Sequence, residues 1–128
     1  MLRTMLAVTS IAVLGIAGPA AAAATGPAAR PTGLHLSYTA DPGYAAAVTL
    51  TCEPAGGGHP KPAKACAVLK KVSGDPARLK PRRTMCTLEY APVTAEITGT
   101  WRGRTVHWSQ TFGNPCDLTR TTGVIFAF

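Results

Sequence analysis

Four cysteines, Cys52, Cys66, Cys86 and Cys116, constrain this chain more than any other feature. What they can do depends on compartment, because disulfides persist in oxidising surroundings and are rare in the cytosol. The first residues point to export. Arg3 supplies a positive charge, Met5–Ala17 is an apolar run, and small residues with Ala-x-Ala patterns fill Ala20–Ala24. The run has the length of a secretory signal and is short for a membrane span, so residues 1–24 read as a signal peptide. Once it is removed, no remaining stretch is long and apolar enough to span a bilayer, and no membrane association is expected.

An even cysteine count in an exported chain implies two bridges and no free thiol. Three pairings are open in principle. The sequential one, Cys52–Cys66 and Cys86–Cys116, closes the most local loops and is the expected one. In the chain-entropy model the first bridge stabilises by roughly 3 kcal/mol and the second by slightly more. Such staples matter in a mature chain of about one hundred residues, which can bury only one modest core.

Residues 25–32 are rich in Gly, Pro and Ala and read as a loose leader, so the domain is expected to occupy residues 33–128. Leu34, Leu36 and Tyr38 alternate with His35 and Ser37, the period of a half-buried strand. Val48, Leu50 and Cys52 repeat it before "AGGGHPKP" breaks the chain. "AKACAVLKKV" reads as a helix with Ala65, Leu69 and Val72 on one face and Gly74 as its stop. Asp75–Arg83, with two prolines, reads as a loop. Val93, Ala95 and Ile97 mark a third strand, "WRGR" a tight hairpin turn, and Val106, Trp108 and Phe112 a fourth strand. "GNPC" reads as a turn, and Val124, Phe126 and Phe128 as a fifth strand. Five short strands and a helix predict an antiparallel α+β domain.

Catalytic chemistry is poorly provided for. After signal removal the serines are Ser37, Ser73 and Ser109, none within a Gly-x-Ser-x-Gly elbow. Bridged cysteines offer no thiolate. His35, His59 and His107 are scattered and lack zinc-ligand spacing, so neither metal nor cofactor is expected. The carboxylates Asp41, Glu53, Asp75, Glu89, Glu96 and Asp117 form no evident acid/base pair. The chain therefore does not read as an enzyme.

Charge leaves another option. The net charge of +7 drops by one with Arg3 and is concentrated in Arg78, Lys80, Arg82 and Arg83, with Lys61, Lys64, Lys70 and Lys71 upstream. A basic secreted protein binding nucleic acid or anionic surfaces would use Arg82 and Arg83. No aromatic side chains interleave with the cluster as a stacking surface requires, so a solvated basic face is expected and nucleic acid is not.

"TMCTLEYAPV" carries a different kind of information. Cys86 fastens one end, Pro92 fixes its own φ and biases Ala91 to an extended form, and Thr87-Leu88-Glu89 lies between. A rigid extended segment presenting one apolar side chain suits a protease cleft, which binds it as an added strand. On the residues alone, a plain core crosslink beside a chance exposed leucine is the favoured reading of the segment.

Motifs spread along the chain decide between these. "VTLTCEP", "HPKPAKACAVL", "MCTLEYAPV", Trp101-x-Gly103, "TFGNPC" and "IFAF" occur in an order and spacing that resemble the subtilisin inhibitor-like family of secreted streptomycete serine-protease inhibitors. The resemblance runs from Cys52 to Phe128. It implies a five-stranded antiparallel sheet with one or two helices on one face, the two sequential disulfides, and a homodimer formed through the sheets. It further implies extracellular serine proteases of the subtilisin type as partners and Leu88–Glu89 as a reactive bond. Leu88 would fill the protease's primary pocket, Met85, Cys86 and Thr87 would line the groove before it, and Glu89 and Tyr90 would lie on the leaving side. Asn114 matches a position whose side chain supports the loop; as a residue before proline, it also suits a turn.

Overall fold

The computed structural model describes residues 30–128 and, before them, only Gly15 and Gly18. The expected signal peptide and most of the expected leader lie outside the described residues. The leader's last residue, Thr32, is already buried in the first strand.

Four strands form one antiparallel sheet: β1 (Thr32–Ala40), β2 (Tyr44–Cys52), β3 (Val93–Trp101) and β4 (Arg104–Phe112), in the order β2-β1-β3-β4. The register pairs Leu36 with Val48 on one side and with Ile97 on the other, and Ile97 with Trp108. Alternation therefore places the apolar side chains of all four strands on one face. Leu34, Leu36, Leu50, Ala95 and Ile97 are buried there, while His35, Ser37, Glu96, Thr98, His107 and Ser109 occupy the other face. Trp101 and Arg104 are paired across the two-residue turn read from "WRGR", with Arg102 at φ +47 and Gly103 at φ +78.

Two α-helices cover the apolar face: α1 (Pro62–Lys71) through Ala65 and Leu69, and α2 (Pro115–Thr122) through Leu118 and Thr122. α1 ends at Lys71, and the expected stop, Gly74, follows three residues on at φ +72, where it donates its N–H to the Leu69 carbonyl at 2.8 Å. A side chain at Gly74 would collide with the ring of Trp101. The bridges are Cys52–Cys66, which ties the end of β2 to α1, and Cys86–Cys116, which ties the long loop to α2.

The structure corrects two expectations. The fifth strand, with Val124, Phe126 and Phe128 on one face, is not formed, and the sheet has four strands. Residues 123–126 turn instead, with Ile125 N–H donating to the Thr122 carbonyl at 3.3 Å and Ala127 N–H to that of Val124 at 3.1 Å. The sequence neighbours Ile125 and Phe126 are both buried, which a strand with one wet face cannot achieve. Buried His59 takes the place of a neighbouring strand. Its Nδ1 accepts the Lys61 N–H at 2.9 Å, so Nε2 carries the proton and donates between the carbonyls of Ile125 (2.9 Å) and Val124 (3.1 Å). The second correction concerns "GNPC", read as a turn, which opens α2. Asn114 Oδ1 accepts the Asp117 N–H at 2.9 Å, and Pro115 occupies the first turn, where its missing N–H has no cost. The region read as loop also contains one 3-10 turn, Pro76–Arg78, capped by Asp75.

Candidate functional site

Between the 3-10 turn and β3, residues 79–92 form neither helix nor strand. The segment joins the sheet at the end where β3 begins and β4 finishes, in contact with the start of α2. Both prolines of the segment, Pro81 and Pro92, lack an N–H, so part of its backbone has no ladder to join. What holds it is the stretch from Gly113 to Arg120.

Six residues of the segment are held. Arg82 N–H donates to the Arg120 carbonyl at 2.9 Å. The Arg120 guanidinium donates to the Thr84 carbonyl at 3.4 Å while its other terminal nitrogen pairs with Asp117 at 2.9 Å. Cys86 is bridged to Cys116 with 5.7 Å between Cα atoms. Asn114 Nδ2 donates to the carbonyls of Thr87 (3.0 Å) and Glu89 (2.9 Å). Ala91 N–H donates to the Gly113 carbonyl at 2.8 Å, just beyond the last ladder pair, Val93 with Phe112.

The contacts share one geometric result. An amide nitrogen carries two protons, and Asn114 spends one on each carbonyl flanking Leu88. With both neighbours drawn towards α2, the Leu88 side chain is turned outward and is fully exposed, and Met85 and Tyr90 are nearly so at 97% and 83%. Three large apolar side chains held in solvent on one loop run against the hydrophobic effect and mark a surface shaped for contact. Asn114 itself is buried at 4% exposure, and its two bonds reach out to the exposed arch as part-buried contacts. Its oxygen caps α2, so one side chain serves both the loop and the helix start, the latter in place of the turn read from the sequence.

All the expected loop residues, Met85, Cys86, Thr87, Leu88, Glu89 and Tyr90, thus stand together in one exposed arch, with Asn114 beneath it. The contributions of Arg82, Arg120 and the Gly113 carbonyl were not anticipated. Arg120 gave a faint signal, as a basic residue three positions after Asp117 on a helix; the two backbone groups gave none. The other candidate groups stay apart. His35 and His107 are exposed on the open face of the sheet, and His59 is occupied in the core. Among the described residues no three His, Cys, Asp or Glu side chains are grouped to hold a metal ion, and no helix is long and apolar enough to cross a membrane.

Comparison with known proteins places this arch in context. Residues 30–114 match the model of the family described as subtilisin inhibitor-like. A subtilase-type protease inhibitor of Streptomyces coelicolor is 40% identical over 134 aligned residues, covering 96% of this chain and 93% of that protein. Subtilisin inhibitor-like protein 1 of Streptomyces cacaoi is 49% identical over 87 residues, covering 64% of this chain and 78% of that protein. Among solved structures, Streptomyces caespitosus sermetstatin, crystallised in complex with Bacillus licheniformis subtilisin, superposes with a TM-score of 0.64 at 29% identity, covering 77% of this chain and 99% of that one.

Proposed function

The chain belongs to the subtilisin inhibitor-like family, and from that membership we propose that it is a secreted inhibitor of subtilisin-like serine proteases with Leu88–Glu89 as its reactive bond. The observation that carries this reading is the pair of Asn114 bonds to the carbonyls on either side of Leu88. Leu88 enters the protease's primary pocket, with Met85, Cys86 and Thr87 along the groove before it and Glu89 and Tyr90 beyond the bond. A large apolar side chain suits subtilisin-like and chymotrypsin-like pockets and offers nothing to trypsin's buried carboxylate.

Inhibition follows from what happens if the bond opens. The protease serine takes the Leu88 acyl group as an ester and the Glu89 amine is released. Neither piece departs, because the acyl side is bridged at Cys86 and the amine side is tied through Ala91 into β3. The amine stays within reach of the ester and closes the peptide bond again. The little freedom left in the loop also means little entropy is lost on binding.

Titration of subtilisin with the purified protein tests the reading. The expected result is stoichiometric loss of activity; digestion of the protein without slowing the enzyme overturns it. Leu88→Lys is expected to move preference towards trypsin, changing the ratio of the two dissociation constants by about a hundredfold or more.

The family reading extends to a homodimer. Its support is the open face of the sheet, where short polar side chains such as Ser37, Thr98 and Ser109 leave a surface that no helix of the described chain covers. Sedimentation equilibrium is expected to give twice the monomer mass.

A further inference from the structure

Immediately upstream of the arch, Arg78, Lys80, Arg82 and Arg83 are all exposed. The ion pairs among the described residues are Arg102 with Glu53 and Arg120 with Asp117, so none of these four cations is neutralised by a carboxylate of the same chain. Asp75, the acidic side chain nearest in sequence, is engaged with the Ala77 N–H. The run is also not loosely hung. Arg82 is tied to α2 through its N–H and through its guanidinium, which reaches the Thr119 carbonyl at 3.4 Å, and Arg120 holds the Thr84 carbonyl. Arg82, which lies between Lys80 and Arg83 in the chain, and the arch that carries Leu88 are therefore braced on the same helix.

Distance decides what such a run meets. Extended chain covers at most about 3.6 Å per residue, so Arg83 lies within about 18 Å of Leu88 and Lys80 within about 29 Å. A segment laid as a strand along a protease cleft carries residues at these positions past the groove onto its rim. On this basis, which rests on the inhibitor reading, we infer that Lys80 and Arg83 form a specificity-determining surface for serine proteases whose rim is acidic at the end of the groove that receives residues before the bond. The surface acts mainly on encounter, because exposed charges at an interface rim steer association more than they hold the complex. A nucleic-acid partner is less well served, since no aromatic side chain stands between Arg78 and Arg83 to stack on a base.

The experiment compares the wild-type protein with Lys80→Gln/Arg83→Gln, which spares the Arg82 and Arg120 braces. Two forms of subtilisin serve as probes, one unaltered and one carrying two glutamates introduced on that rim. Association and dissociation rates are measured by stopped flow at low and high salt. With the glutamate-bearing enzyme at low salt, the double variant is expected to associate about tenfold more slowly than wild type, the gap closing at high salt. With unaltered subtilisin the two proteins should associate at rates within about twofold, and dissociation should not change. Equal association with the glutamate-bearing enzyme overturns the inference, as does a loss that is the same for both enzymes or insensitive to salt. A parallel titration with duplex DNA is included: salt-dependent binding that the double variant loses, without any change in protease association, overturns it in favour of a nucleic-acid surface. Absence of inhibition by the wild-type protein is a separate outcome, which removes the inhibitor reading and this inference with it.

Discussion

Asn114 assigns its oxygen to the first turn of α2 and its nitrogen to the arch, and the two ends can be separated by substitution. Asn114→Asp keeps an acceptor for the Asp117 N–H but has no proton for the carbonyls of Thr87 and Glu89. Two part-buried hydrogen bonds, each worth roughly 0.5–1.5 kcal/mol, are lost, and the carbonyls face a carboxylate. Subtilisin is expected to cleave Leu88–Glu89 in this variant about tenfold to a hundredfold faster, followed by mass spectrometry, while the helix cap persists. Asn114→Ala should add a loss of about 1 kcal/mol in stability from the missing cap. Cleavage of Asn114→Asp no faster than wild type would refute the clamp. At this scale local residue patterns were informative about the arch and silent about its support, for which Asn114 was named only through the family resemblance. "MCTLEYAPV" displays the cysteine, the apolar residue and the proline within ten positions. The bonds that orient them come from a residue 25 and 27 positions away, and no local pattern encodes that convergence.

Among the elements, those with strong periodicity were legible and those held by polar bonds were not. The strands around Leu36, Leu50, Ile97 and Trp108 alternate visibly, and α1 repeats its apolar face. α2 buries only Leu118 and Thr122 and has no apolar stripe to detect, although Asn114, Pro115 and Asp117 together form a helix-start signal. The C-terminal segment misled for the opposite reason. Val124, Phe126 and Phe128 alternate, yet the backbone is satisfied by turn bonds and by His59, whose polar contacts lie 65 and 66 residues away in the chain. His59→Ala removes the N–H shared by the Val124 and Ile125 carbonyls, of which Val124 keeps the Ala127 N–H, and the acceptor for Lys61 N–H. The expected loss of stability is about 2–3 kcal/mol, read by denaturant unfolding with unchanged slope. Trp108 fluorescence should report it, because its ring lies 6.2 Å from that of Phe126 in the affected segment. Below its unfolding midpoint the variant is expected to inhibit as wild type does, since His59 makes no contact with the arch. Unfolding at wild-type denaturant concentration would mean the histidine only fills space.

Over the whole molecule, the two disulfides are expected to do comparable work on stability and, under the proposed function, different work on inhibition. The buried core is drawn from the four strands, both helices, Ile125 and Phe126, and the arch contributes only partly buried Leu79 at its edge. The fold therefore does not need the arch in place, and the Cys86–Cys116 bridge, spanning 30 residues, stabilises mainly by restricting the unfolded chain, at roughly 3–4 kcal/mol. The Cys52–Cys66 bridge, spanning 14, is worth about 3 kcal/mol on the same account. Cys86→Ser/Cys116→Ser and Cys52→Ser/Cys66→Ser should then melt at similarly lowered temperatures. Their behaviour towards subtilisin should diverge at a temperature where both are folded. The first variant loses the covalent hold on the acyl side of an opened Leu88–Glu89 bond, so the ester more often meets water than the returning amine. It is expected to inhibit at first and to be consumed, with enzyme activity recovering as cleaved protein accumulates. The second variant keeps that hold and should inhibit without recovery. Parallel loss of inhibition in both variants, scaling with stability alone, would show that the Cys86 bridge serves the fold and not the bond.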